Sequence, residues 1–283
     1  MEENRKPAVA SIFYPDDTIN LKRMINQFLS NVPAESTDFF KKNAFDNIFS
    51  IIVPHAGYIY SGQVAAYSYS LLKQKEYDTV VLIGPSHFAY FEGFALPFYK
   101  SFETPLGRID LEQDLLNLLV KKSNSFFDFI NTAHVKEHSL EVQLPFLQTI
   151  LTNDFKIVPI LMGEQSYKNA KEAAETLFEV FKNYDKHFLF VISTDLSHYH
   201  TDEEAKVMDN ELIKTLSGMD AKKLLDDSKA GKIEACGAGP AAVVLELARL
   251  FNRNRLKVLV YKNSGETSND YERVVGYLSA AIW

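Results

Sequence analysis

Apolar residues along the chain follow two rhythms that take turns. Short, nearly unbroken runs recur as "FSIIVP" (49–54), "DTVVLIG" (78–84), "FKIVPILMG" (155–163), "HFLFVIS" (187–193) and "LKVLVYKN" (256–263). The chain closes on another, "ERVVGYLSAAIW". Runs without polar alternation mark strands covered on both faces. Between them, apolar residues recur at helical spacing in "INLKRMINQFLSNV" (19–32), "GQVAAYSYSLLKQK" (62–75), "LEQDLLNLLVKKS" (111–123) and "SYKNAKEAAETLFEVFKNY" (166–184). Two more helices are predicted at "DEEAKVMDNELIKTLS" (202–217), with Thr201 as N-cap, and "GPAAVVLELARLFNRN" (239–254), with Pro240 in the first turn. Strands alternating with helices predict a three-layer α/β/α sandwich around a largely parallel or mixed sheet. No repeat, low-complexity tract or Gly/Ser linker interrupts the pattern, so residues 1–283 read as one α/β domain.

Composition narrows the class. An apolar fraction of 46%, with 13% aromatic, is ample for a sizeable core. The net charge of −7 argues against nonspecific nucleic-acid or anionic-membrane binding. No apolar stretch approaches the roughly 20 residues that cross a bilayer, and the charged N-terminus lacks the apolar segment of a secretory signal. The single cysteine, Cys236, excludes an intrachain disulfide framework and predicts a reducing, cytoplasmic setting.

In open α/β sheets, ligands bind beyond the carboxyl ends of the strands, so the residues just after each apolar run are the first place to look for chemistry. "SIIVP" leads into "HAGYIYSG", with His55, Tyr58 and Tyr60. "TVVLIG" leads into "PSHFAY", with Ser86, His87 and Tyr90. "FLFVIS" leads into "TDLSHYH", with Asp195, His198 and His200. Seven histidines scattered at random would not favour equivalent strand ends. The pattern predicts one shared pocket. "VKEHSLEVQLPFL" (135–147) adds His138 and Glu141, which share a helical face if a helix begins there; Ser139 capping a first turn is the alternative. "EACGAGP" (234–240) puts Cys236 in a glycine-rich turn before a helix, where amide groups favour the thiolate. His134 reads as a solvated loop histidine, His187 lies at the wrong end of a strand, and His200 reads as a loop residue.

Imidazole with thiolate selects iron, copper or zinc over magnesium or calcium. No G-x-G-x-x-G, G-x-S-x-G or Walker sequence occurs, which removes dinucleotide, serine-hydrolase and P-loop chemistry. Cys236 as nucleophile with His55 or His87 as base stays open.

Together, "VPHAGYIYSG", "LIGPSHF", "EHSLEVQLPFL", "STDLSHY" and "ACGAGP" resemble, in order and spacing, the motifs of the Memo family. That family is also known as the B component of the AmmeMemoRadiSam grouping. The resemblance implies a fold similar to LigB-type extradiol dioxygenases, with a non-haem iron site. It implies His55, His87 and Cys236 as metal ligands, Asp195 and His198 around the same pocket, and Glu137, His138 and Glu141 as matches to a further family motif. Animal members are described as copper- or iron-binding proteins in redox signalling and motility that bind phosphotyrosine peptides. Prokaryotic members neighbour radical-SAM genes. The "GAGP" turn offers a phosphate no cationic side chain, so phosphopeptide recognition is not carried over.

Two functions are therefore carried forward. The first is a metal-dependent oxidoreductase holding Fe(II), or copper or zinc, on His55, His87 and Cys236. In it, His198 or His138 shuttles protons, and Asp195 acts as a fourth ligand or fixes a histidine. The second is a non-catalytic module binding a small molecule or peptide in the same cleft, rimmed by Tyr58, Tyr60 and Tyr90. A closed structural zinc site is a third reading.

Overall fold

A computed structural model describes residues 2–42 and 48–283. The strands in chain order are β1 (Glu2–Arg5), β2 (Ser50–Val53), β3 (Thr79–Pro85), β4 (Phe94–Leu96), β5 (Tyr99–Thr104), β6 (Gly107–Asp110), β7 (Phe127–Phe129), β8 (Lys156–Met162), β9 (Phe188–Ser193), β10 (His198–His200), β11 (Leu256–Asn263) and β12 (Val274–Ile282). The helices are α1 (Thr18–Ser30), α2 (Ala34–Lys42), α3 (Tyr58–Ser70), α4 (Gln113–Lys122), α5 (Asn131–His134), α6 (Leu144–Ile150), α7 (Tyr167–Phe181), α8 (Asp202–Ser217), α9 (Ala221–Lys229), α10 (Ala238–Leu250) and α11 (Gly265–Ser268).

The main sheet runs in the order β10-β12-β2-β9-β3-β8-β4-β7, with β11 also paired to β12. Its centre, β2-β9-β3-β8, is parallel and in continuous register, while β12 lies antiparallel to β2 and β4 antiparallel to β8. The result is the mixed-sheet α/β/α sandwich that the apolar rhythm predicts. Every residue of β2 and β3 is buried, which is why their sequence shows no alternation.

Direction of travel positions the site. The chain leaves β2 through α3 and reaches β3 on one side, whereas it leaves β9 towards β10 and β12 on the other. Connections that diverge from adjacent parallel strands open a crevice at their carboxyl ends. The loops after β2, β3 and β9 all border that crevice.

Several short elements escape the apolar rhythm. β1, β5 and β6 form a separate three-stranded sheet. Strands this short, mostly exposed in β6, bury too few residues to leave a periodic signal. The 202–217 helix starts where predicted, with a reciprocal capping box between Thr201 and Glu204. The helix predicted from residue 62 begins at Tyr58, so it comes almost directly after His55. The 135–147 segment departs most. It holds no continuous helix: an irregular stretch comes after α5, then a single 3-10 turn at Glu141–Gln143, then α6. Ser139 caps nothing there. Its hydroxyl donates to the Pro85 carbonyl at 3.1 Å.

Candidate metal centre

His55 comes just after β2 and is buried, 2% exposed. Its backbone N–H donates to Asp195 Oδ1 at 2.8 Å, and its ring Nδ1 lies 2.8 Å from Ser193 Oγ. That hydroxyl donates its one proton to the Ser139 carbonyl at 2.6 Å and accepts from Gln143 Nε2 at 3.0 Å. It can therefore only accept from His55, so Nδ1 carries the proton and Nε2 presents a lone pair. This is the form that binds a metal. Burial, then the neighbouring His87 and His138, hold the ring well below the ordinary histidine range and keep it neutral.

His87 reaches the same tautomer by another route. Its Nδ1 sits 2.9 Å from Glu137 Oε1, and its backbone N–H donates to Glu137 Oε2 at 2.6 Å. Burial pushes the Glu137 carboxyl up, but hydrogen bonds and charge from His87, with the Ser139 amide, outweigh it and hold the group at about 2. An ionised carboxylate only accepts, so His87 Nδ1–H donates and Nε2 is left free. The same carboxylate takes the His138 and Ser139 amides at 2.9 and 2.8 Å.

His138 completes the group. Its ring stacks on His87 with centroids 4.7 Å apart and stands 5.5 Å from His55, backed by Phe13 at 4.9 Å. One nitrogen from each of His55, His87 and His138 lies within 4.8 Å of the others. Three imidazoles, two with Nδ1 engaged by a fixed acceptor, suit iron, copper or zinc. A metal fits these residues.

Cys236 adjoins this trio through one member. Its Sγ lies 3.1 Å from His55 Nε2 and accepts from the Asp195 amide at 3.2 Å. Its turn needs Gly237: a Cβ there would stand 2.4 Å from the Ser193 carbonyl oxygen. The nearby helix end favours a thiolate, but the surroundings oppose it. Burial, then the Asp195 charge, push the thiol well above its ordinary value. A bound cation would reverse that preference.

The remaining candidates divide. The Asp195 carboxyl contacts the His55 backbone rather than its ring, and burial lifts it to about 7. His198 lies on β10, near enough to His55 and His87 for their charges to act on one another, and burial lowers its pKa. Glu141 turns away from the cluster: its oxygens accept from Arg5, Ala8, Val9 and Tyr14. Tyr58 is core, its hydroxyl donating to the Val142 carbonyl at 2.6 Å, so it does not rim the cleft. Ser86 closes a local turn with its hydroxyl on the Ala89 carbonyl. Tyr60 and Tyr90 are exposed, Tyr90 at 89%. His134, read as solvated, is buried with Nε2 bonded to the Ala95 carbonyl at 3.1 Å. His187 is exposed at the far end of the sheet. His200 pairs with Glu234 at 3.0 Å. Sequence reasoning missed Ser193 and Gln143 as tautomer setters, and nothing in their spacing announces that role.

The profile of the family described as Memo-like protein matches residues 5–281. The chain belongs to the Memo family. A "MEMO1 family protein" of Methanobrevibacter smithii is 37% identical over 281 residues, covering 97% of this chain and 98% of its own. One from Saccharolobus islandicus (strain M.14.25 / Kamchatka #1) is 38% identical, covering 98% of each. One from Methanosarcina acetivorans is 35% identical, covering 99% of each. Among the described residues no helix is long and apolar enough to cross a membrane.

Proposed function

We propose that this Memo-family chain is a metal-dependent oxidoreductase whose centre is held by His55 and His87, with Fe(II) as its metal and copper or zinc as competitors. The observation that carries the reading is the convergence of three histidine nitrogens within 4.8 Å, two of them locked in the ligating tautomer. The third ligand is His138 by proximity or Cys236 by resemblance to the family's motif; both adjoin His55. Bound there, the metal would supply Lewis acidity and one-electron chemistry.

The protein's own part is orientation and proton handling. Ser193 and Glu137 aim the two rings, and Asp195 fixes the backbone of the His55 turn. His198, within electrostatic reach of His87, is the proton carrier. The parallel strand ends leave the cluster approachable from solvent, since His87 and His138 are partly exposed, unlike a closed structural zinc site.

A specific observation supports the second reading, a ligand-binding module. Ile59, Tyr60, Phe88 and Tyr90 are exposed apolar residues in the loops and helix turn directly after His55 and His87. Such a rim suits a small apolar molecule or peptide.

The deciding experiment is metal content of protein purified anaerobically without an affinity tag, alongside His87→Ala, His138→Ala and Cys236→Ser. About one metal per chain, lost in His87→Ala, is expected. Which of the other two variants also loses it identifies the third ligand. Substrate-dependent oxygen uptake by the iron-loaded protein then separates the oxidoreductase from the module. Wild type that takes up neither Fe(II), Cu(I) nor Zn(II) would end the metal reading.

A further inference from the structure

We propose that Arg5 is a positioning residue for the histidine cluster, acting through Glu137, although none of its hydrogen bonds reaches the three rings. Arg5 ends β1 in the small sheet, pairs in register with Phe102, and is 3% exposed. Its guanidinium lies over the Phe102 ring at 5.0 Å. From there Nε donates to the His134 carbonyl at 2.7 Å, Nη2 to the Glu137 carbonyl at 2.6 Å, and Nη1 to Glu141 Oε2 at 2.6 Å.

These three acceptors bracket residues 134–141, the segment that delivers Glu137 and His138. No helix or strand spans the segment between α5 and the turn at Glu141. A stretch with few backbone bonds of its own takes its path from outside. Arg5 supplies that path. Glu137 is gripped at both ends: Arg5 holds its carbonyl, while its carboxylate takes the His87 and His138 amides, the Ser139 amide and the His87 ring. Shifting the Glu137 backbone therefore shifts the group that sets the His87 tautomer.

The other side of the brace is equally fixed. Glu141 accepts from the Ala8 and Val9 amides at 2.8 and 3.0 Å and from the Tyr14 hydroxyl at 2.6 Å. Arg5 and Glu141 thus fasten the N-terminal segment, including the Phe13 ring that backs His138, to the loop. Only a planar fork reaches three acceptors in different directions; a lysine is a single point charge.

The proposal rests on the metal reading for its purpose, but its first test needs no metal. Arg5→Lys keeps the charge and loses the fork. In chelator-stripped, isotope-labelled protein at alkaline pH, wild-type His87 should show one ring tautomer with the proton on Nδ1. In folded Arg5→Lys, with cooperative melting retained, we expect a tautomer mixture at His87. The remote His187 should keep its wild-type signal, and His55, whose partner Ser193 leans on the Ser139 carbonyl of the same loop, should change less than His87. Co(II) affinity should then fall by about 10–100-fold, the usual effect of losing an outer-shell partner. If Arg5→Lys does not fold, Tyr14→Phe removes one donor from Glu141 and should disturb His87 in the same direction, less strongly. A folded variant with a wild-type His87 tautomer overturns the proposal. Equal loss of order at His55 and His87 overturns it too, because that reports general loosening. Should wild type bind no Co(II), the metal reading falls while the tautomer result still decides the role of Arg5.

Discussion

The two ends of the parallel strands are both polar, yet they are built differently. At the carboxyl ends, His55, Ser193, Gln143, Glu137 and Asp195 are all buried, and each polar group has a directed partner. At the amino ends lies a groove of about 660 Å³ lined by Asp78, Arg108, Glu112, Asn153, Lys156 and Lys186 among others. Its longer ion pairs are loose: Lys156 and Lys186 stand 3.6 and 3.9 Å from Glu112, and both lysines are half-exposed. Charge density alone does not order a cluster. Burial does, because a desolvated polar group must find a fixed partner, and fixed partners aim rings.

That contrast can be broken at either end, and the largest effect belongs to the cluster itself. His55→Ala should weaken metal binding by at least about 100-fold, measured by Co(II) titration, because it removes one of the proposed ligands. An unchanged affinity would put the centre elsewhere. Glu141→Ala comes next: breaking a buried pair leaves the Arg5 charge uncompensated and should cost about 3–5 kcal/mol by urea unfolding.

Ser193→Ala should weaken Co(II) binding by about 10–100-fold and cost about 1–3 kcal/mol in stability, since His55 Nδ1 loses its acceptor and Gln143 Nε2 loses one of several. Loss of stability with affinity intact would deny Ser193 its tautomer role. The contrast sharpens with pH at His134. Burial holds its pKa at about 3, below the unfolded value near 6.5. Between those values the unfolded chain binds the extra proton, so the His134 contribution is flat above about pH 6.5 and falls as pH drops towards 3. Replacing it by glutamine should remove about 1–2 kcal/mol of the stability lost between about pH 7 and pH 5; an identical pH profile would refute the shift. Least of all, Lys186→Ala at the opposite groove should change stability by under about 0.5 kcal/mol and leave Co(II) affinity untouched.

Legibility tracks burial and chain distance. The central strands were readable because both faces are covered, leaving no polar alternation to obscure them. The 202–217 helix announced its start through Thr201 and Glu204, a local device three residues long. His55 and His87 were legible as candidates because strand ends gather ligands, and His138 through its spacing to Glu141. Their partners were not. Glu141 sits in a motif beside the cluster, yet its carboxylate faces Arg5, 136 residues away. Tyr58 lies three residues after His55 but starts a helix that turns it into the core.

By itself the sequence determined the layered α/β architecture, through apolar period, and the family, through motifs carried at strand ends. Tertiary structure alone decided which ring nitrogen of His55 and His87 meets an acceptor, which way burial pushes the Cys236 thiol, and which carboxylate adjoins the cluster. Those outcomes depend on hydrogen bonds and desolvation between residues 50 or more positions apart. Local pattern records what each element buries; only folding brings together the groups whose mutual burial fixes their charge and direction.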